Sequence, residues 1–161
     1  MTNLSFFQSL DFENGLSVVT KVFDRFPLQY AATLGLNGAP QIRPIEYKFA
    51  QDGVLYFDTV IRYASYREMI AYPFIQICVC DQETMTYLRA GGKVNFTDDD
   101  SLVARCFEES EVLTSQFGSK RELVKAYYLT DAWAEFVSFS ENLPTRHYQL
   151  QNKYDQERCV S

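Results

Sequence analysis

Two dipeptides, Asn37-Gly38 and Asp52-Gly53, constrain what this chain can fold into more than any other feature. Each is flanked by β-branched and aromatic residues, and each tolerates the positive φ that tight, right-twisted hairpins demand. They predict three consecutive antiparallel strands, the second running from Gln41 to Phe49 and the third ending at Thr59. A helix follows from near Ala64 to Tyr72. Strict alternation along the second strand places Arg43, Ile45, Tyr47 and Phe49 on one face and Ile42, Pro44, Glu46 and Lys48 on the other. An arginine among apolar side chains needs a partner, because a buried unpaired charge is costly. That partner is either a nearby acid such as Asp58 or the phosphate of a ligand. Pro44 donates no ladder hydrogen bond and marks an edge or a bulge. Arg62, Ser65 and the free N–H groups at the start of the helix would add cationic, hydroxyl and amide donors to the same small region, the chemistry a phosphate requires.

The remainder of the chain surrounds this stretch with further β structure. Leu16, Val19, Val22, Phe23 and Phe26 recur at helical spacing, and Pro27 ends that helix. On the Ala64–Tyr72 helix, Tyr66, Met69 and Ile70 are expected to face the barrel together with Pro73. Residues 73–80 and the segment from Met85 to Phe96 read as strands, the latter with Tyr87, Arg89, Gly91 and Lys93 on one face and a bulge or close approach at Gly91-Gly92. Asp98-Asp99-Asp100 starts a helix with Leu102, Val103, Cys106 and Phe107 buried, and acids at its positive end explain that run without a metal. Ser119-Lys120-Arg121-Glu122 reads as a capping box. Lys125 to Leu129 and Trp133 to Phe139 read as two strands joined at Thr130-Asp131, and Thr145 to Leu150 as the last. Tyr128 and Trp133 are either core or pocket residues, with core the commoner fate of large aromatics.

Composition removes several classes of function. At 161 residues one domain is expected: a core region from 15 to 150, a loosely anchored extension over 1–14 and a polar tail over 151–161. A net charge of −6 opposes a nucleic-acid or anionic-membrane role. The start of the chain has no basic, apolar leader and no run approaches the ~20 apolar residues of a membrane span, so a cytoplasmic protein is expected. Four cysteines without a CxxC and a single histidine, His147, offer no zinc site of ordinary spacing. Cys78 and Cys80 lie two apart on one strand face, either as reduced residues of a sheet or as a redox pair.

These motifs, in their order, resemble those of the FMN-binding split barrels related to pyridoxamine 5′-phosphate oxidase. Gly38-x-Pro40-x-x-Arg43-Pro44, then Tyr56-Phe57-x-Thr59, then a helix closing in Met69-Ile70-x-x-Pro73, are similar to that family's phosphate-binding half. Tyr87-x-Arg89-x-x-Gly92-x-Val94 is similar to its long strand. The closing strands resemble the small flavoproteins grouped with nitroimidazole-resistance reductases. The resemblance covers roughly residues 16 to 150 and implies a mainly β (α+β) fold, an antiparallel split β-barrel with flanking helices. It implies FMN, held at the phosphate end by Arg43, Thr59, Arg62 and Ser65, with Arg67 as a further cation, and at the ring by Pro44 and Ile45. It also implies a homodimer with the cofactor at the subunit interface, Tyr87 and Arg89 serving the partner's site, and a nicotinamide or other small-molecule redox partner. The departures are informative: Tyr63-Ala64-Ser65 stands where the oxidases carry Ser-Arg-Lys, and the C-terminal Trp and Arg-x-His element that grips the vitamer phosphate is missing. The implied activity is therefore that of a flavin-dependent oxidoreductase with no assigned acid–base residue. The alternatives are a non-catalytic flavin- or haem-binding protein, or a barrel that has lost its cofactor.

Overall fold

The computed structural model describes residues 1–155, which contain eight strands in one antiparallel sheet and six flanking helices, one of them 3₁₀. In spatial order the strands are β2 (Pro40–Ile45), β1 (Gln29–Leu34), β5 (Phe74–Asp81), β6 (Thr86–Thr97), β7 (Val124–Ser138), β4 (Val54–Val60) and β3 (Phe49–Gln51), with β8 (Arg146–Gln149) paired to β7. The two strands at the ends of this order, β2 and β3, are neighbours in the chain. The sheet thus curls into a barrel whose last seam carries no ladder, which is the split-barrel fold.

The seam corrects the prediction of one strand over 41–49. That segment crosses the split: β2 pairs with β1 and β3 pairs with β4, and residues 46–48 bridge the gap. Buried Gln29 ties this bridge to the segment preceding β1 with side-chain hydrogen bonds. Its Oε1 accepts from Tyr47 N at 2.8 Å, and its Nε2 donates to Phe23 O at 3.1 Å and Phe26 O at 2.6 Å. All three bonds satisfy backbone groups that would otherwise be buried without partners. Both hairpin glycines take positive φ, +82° at Gly38 and +79° at Gly53, as their turns require.

Inside the barrel, Ala31, Leu55, Phe57, Ile77, Leu88, Tyr127 and Leu129 form the main core, closed at one end by α2 (Gly15–Arg25). Asn14 caps that helix by accepting from Ser17 N at 3.0 Å, and Val18, Val19, Val22 and Phe23 make its buried face. The first 14 residues are not a loose extension: α1 (Asn3–Gln8) inserts Phe7, and Leu10 follows it into the same core. Burial of side chains that size contributes about 1.5–3 kcal/mol each, enough to hold a six-residue helix in place. A second core, with Phe49, Tyr56, Cys106, Phe107 and Leu113, lies under α4 (Asp100–Glu108) and α5 (Glu111–Phe117).

Further differences have local causes. The strands predicted over 125–129 and 133–139 are one, β7, which absorbs a left-handed residue at Asp131 (φ +48°) while pairing with β6 along both halves. The β6 register shifts between Gly91 and Lys93, at the predicted bulge. A Cβ on Gly91 would meet Ile75 O at 2.8 Å and the Trp133 ring at 2.9 Å. The Ser119 capping box does not form: a 3₁₀ turn (Arg121–Leu123) begins there without a side-chain cap, and the capped helix is α5, where Ser110 Oγ accepts from Leu113 N at 3.1 Å. Residues 151–155 pack rather than trail, with Asn152 buried and the Tyr154 ring stacked on Tyr128 at 4.7 Å. Cys159 lies outside the described residues.

Candidate functional site

The barrel split, α3 (Ala64–Ala71) and α5 enclose a cavity of about 180 Å³. Its wall combines charged and hydroxyl side chains with apolar ones. From β2 come Arg43, Pro44 and Ile45, from the bridge Glu46 and Lys48, from β4 Asp58, Thr59 and Val60, and from the start of α3 Tyr63 and Ser65. Ser110, Leu113 and Phe117 close it from the α5 side, and the Phe117 ring meets Tyr63 edge-on with centroids 6.4 Å apart. Thr59 and Ser65 share a buried hydroxyl–hydroxyl hydrogen bond of 3.2 Å. The first turn of α3 has no side-chain cap and contributes Ser65 to the cavity wall, and the free N–H groups of a helix start favour an anion.

Two ion-pair clusters set the charge of this wall. Arg43 donates to Glu68 Oε2 at 2.6 Å and to Thr33 Oγ1 at 2.7 Å, and Thr33 Oγ1 in turn donates to Glu68 Oε2 at 2.6 Å. The acid beside Arg43 is therefore Glu68 and not Asp58. Helical phase explains the substitution: α3 buries Ser65, Glu68 and Met69, whereas Ile70, expected to face the barrel, is 59% exposed. In the second cluster Lys48 Nζ, with a side chain only 3% exposed, lies 2.5 Å from Glu46 Oε2 and 3.4 Å from Asp58 Oδ1. Ser110 Oγ donates to the same Glu46 oxygen at 2.7 Å. Burial pushes the Asp58 carboxyl above the usual aspartate range, against the opposing pull of Lys48.

Of the residues singled out from sequence, Arg43, Pro44, Ile45, Thr59 and Ser65 meet in this one cavity, while Arg62, Arg67, Tyr87 and Arg89 do not line it. Arg67 instead donates to Arg62 O at 3.2 Å on the exposed side of α3. Tyr87 and Arg89 lie on the outer face of the sheet. Sequence reasoning missed Lys48 because uninterrupted alternation puts it opposite Arg43, and the break at 46–48 resets that phase. One signal was present: Asp58 sits in Val54–Val60, a strand buried on both faces, and a carboxylate there demands a cation.

The outer face carries a transverse row defined by register: Pro44, Tyr30, Cys78, Arg89, Glu135 and His147 lie side by side across six strands. Arg89 donates twice to Glu135 Oε2, at 3.1 and 2.7 Å, and lies over the Trp133 ring at 5.3 Å. His147 Nδ1 is 3.3 Å from Glu135 Oε1. Trp133 thus belongs to the sheet surface, Tyr128 packs against the second core with its ring 5.7 Å from that of Tyr56, and neither lines the cavity. Tyr30, Ile42 and Phe74 on this face are exposed at 47, 72 and 64%, an apolar patch of the kind that marks an interaction surface. Cys78 is half-buried and Cys80 exposed beside them, and burial raises the Cys78 thiol.

A larger cleft of about 520 Å³ runs beside α4; Lys125 pairs closely with Asp98 in its wall, Arg121 lies over the Phe107 ring, and it holds none of the hydroxyl donors described above. Among the described residues no group of three or more His, Cys, Asp or Glu is placed to hold a metal, and no helix is long and apolar enough to cross a membrane.

Comparison with known proteins supports the fold. No family model matches the sequence, and no curated protein matches it. Among solved structures, a NimC/NimA family protein from Clostridium acetobutylicum superposes with a TM-score of 0.74 at 17% identity, over 90% of this chain and 95% of that one. A protein of the same organism related to general stress protein 26, of the pyridoxinephosphate oxidase family, gives 0.68 at 11% identity over 88% and 97%. A pyridoxamine 5′-phosphate oxidase-related, FMN-binding protein from Nostoc punctiforme gives 0.59 at 16% identity over 89% and 99%. The chain has the fold of the pyridoxamine 5′-phosphate oxidase-like proteins, as its motif order implied.

Proposed function

We propose that this protein is an FMN-binding oxidoreductase that works as a homodimer. The observation that carries this reading is the convergence of Arg43, the Thr59–Ser65 hydroxyl pair and the uncapped start of α3 on one cavity. Those donors suit the phosphate end of a flavin mononucleotide. At about 180 Å³ the cavity is smaller than the ~300–1,000 Å³ that encloses a whole drug-sized ligand, so it takes the phosphate and adjoining chain while the ring lies at the mouth beside Pro44 and Ile45.

The residues present fit that group. FMN, when bound, supplies the hydride and electron chemistry. Arg43 and the hydroxyls bind the phosphate, Ile45 positions the ring, and Tyr63 with Phe117 limits water at the cavity. Pro44 belongs to both the cavity wall and the outer row, so a ring at the mouth reaches the apolar outer face. A second copy covers that face in this reading, and its Tyr87 and Arg89 meet the ring from across the interface. Arg62 and Arg67, outside the cavity, act at most as a general positive field. A nicotinamide or another small redox partner reacts at the exposed ring edge, and the protein works in the cytoplasm.

Fluorescence titration with FMN tests the assignment. Wild-type protein quenches flavin emission saturably, and the Thr59→Val/Ser65→Ala double variant binds at least about tenfold more weakly, the loss of roughly 1.4 kcal/mol expected of two hydroxyl contacts. Equal affinity in both proteins contradicts the placement. Oxidation of NADH or NADPH by the loaded protein then separates an oxidoreductase from a flavin carrier.

A further inference from the structure

Glu46, Lys48 and Asp58 line the proposed phosphate cavity but have no part in the assignment above. Their arrangement is expensive to maintain unless it is used: a lysine 3% exposed serves two carboxylates at once, 2.5 and 3.4 Å away. Across the cavity Arg43 is already matched by Glu68 at 2.6 Å. With every group ionised, the two cations of the wall, Lys48 and Arg43, meet two lining carboxylates, Glu46 and Asp58, and Glu68 behind Arg43 adds a third. A phosphate monoester is a dianion above its second pKa of ~6. It would enter a site that is already net negative and poorly solvated, where like charges repel strongly.

We infer that the Glu46–Lys48–Asp58 cluster sets the charge of the ligand this cavity accepts, so that a phosphate dianion enters together with one proton taken up by the carboxylate pair. Asp58 is the site of uptake. Its side chain is 12% exposed against 39% for Glu46, and the Glu46 oxygen accepts from both Ser110 and Lys48, at 2.7 and 2.5 Å, whereas Lys48 lies 3.4 Å from Asp58. Neutral Asp58 also frees Lys48 from its second acid, which leaves its ammonium able to turn toward the phosphate. The groups facing Asp58 from the other elements do not compete for the proton near neutrality. Cys106 on α4 is pushed up to about 12 by burial, and Tyr127 on β7 is likewise driven upward by burial. The inference rests on the FMN reading of the cavity and names Asp58 as a specificity-determining residue within it.

The test is FMN affinity as a function of pH, with riboflavin, which lacks the phosphate, as the internal control. From about pH 7 to about pH 8.5, where FMN is already a dianion, the wild-type Kd rises by about tenfold per pH unit, the slope of one linked proton. Riboflavin binding stays level over the same range. Asp58→Asn removes the slope for FMN and binds it more tightly than wild type at the upper end. Calorimetry of the unaltered protein in two buffers of different ionisation heat gives the proton count independently, about one per FMN by the same linkage. A level FMN profile with no proton uptake, or a slope that persists in Asp58→Asn, overturns this inference while leaving the cofactor assignment standing. Failure of wild-type protein to bind FMN at any pH overturns that assignment, and this inference with it.

Discussion

Two three-membered charge clusters of similar composition stand in opposite surroundings among the described residues. Lys48, Glu46 and Asp58 line an internal cavity with the lysine side chain 3% exposed, whereas Arg89, Glu135 and His147 lie across the outer face with the arginine 45% and the histidine 69% exposed. Hydrogen-bond geometry does not distinguish them, since the shortest contacts are 2.5 and 2.7 Å. Surroundings do. On the surface water competes for every charge and the pairs contribute little; inside, each charge depends on its partner and removing one strands the others. The difference teaches that the inner cluster can be read for function, while the outer one gains meaning only if a second subunit covers it.

Breaking the inner cluster gives the largest effect. Lys48→Met leaves Asp58 and Glu46 facing each other and lowers stability by about 3 kcal/mol in urea unfolding, toward the lower end of the range for one-sided loss of a buried pair because Glu46 can turn to solvent. A loss below about 1 kcal/mol would place the two clusters in the same class. Arg43→Ala comes next, since it strands Glu68: a loss of about 2 kcal/mol is expected, together with weakened FMN binding, and Glu68→Gln in the same chain restores stability without restoring affinity. Recovery of both would make the pair structural alone.

Asp58 sharpens the comparison through pH. Its folded carboxyl is raised by burial, so between the ordinary aspartate value and the raised one the folded state holds a proton that the unfolded chain releases. Stability contributed by this group therefore falls as pH rises from the ordinary aspartate value through the folded one, and Asp58→Asn removes that part of the slope. Thermal unfolding of both proteins over a pH series reads it directly; parallel profiles would contradict the burial argument. The smallest effect belongs to the outer cluster. Arg89→Ala costs under about 1 kcal/mol at subunit concentrations too low for association, and salt erases the difference. A larger effect confined to high protein concentration would mean that a second copy covers this face.

Legibility in the sequence followed the range of each signal. The two hairpins, the α2 stripe, the bulge at Gly91 and the order of the strands were readable because turn chemistry and periodicity are local. The seam at 46–48 was not, because its backbone is held by Gln29, eighteen positions before Tyr47, through a side-chain hydrogen bond. For the same reason five of the residues singled out meet in one cavity, while Lys48 was placed on the wrong face and Asp58 given the wrong partner. Glu68 was hidden behind the assumption that an apolar Ile70 faces inward; its burial is tolerated only because Arg43 and Thr33 arrive from β2 and β1. Local patterns record where a strand begins, and they are silent about which distant charge it will meet.

The most direct test of the central claim is the absorption spectrum of the purified protein after incubation with FMN and desalting, in the wild type and in Arg43→Ala/Glu68→Gln. A flavin band stoichiometric with the wild-type subunit and absent from the equally stable double variant is the predicted result. A wild-type protein that emerges colourless, or a double variant that keeps the full band, would contradict the assignment of this cavity to FMN.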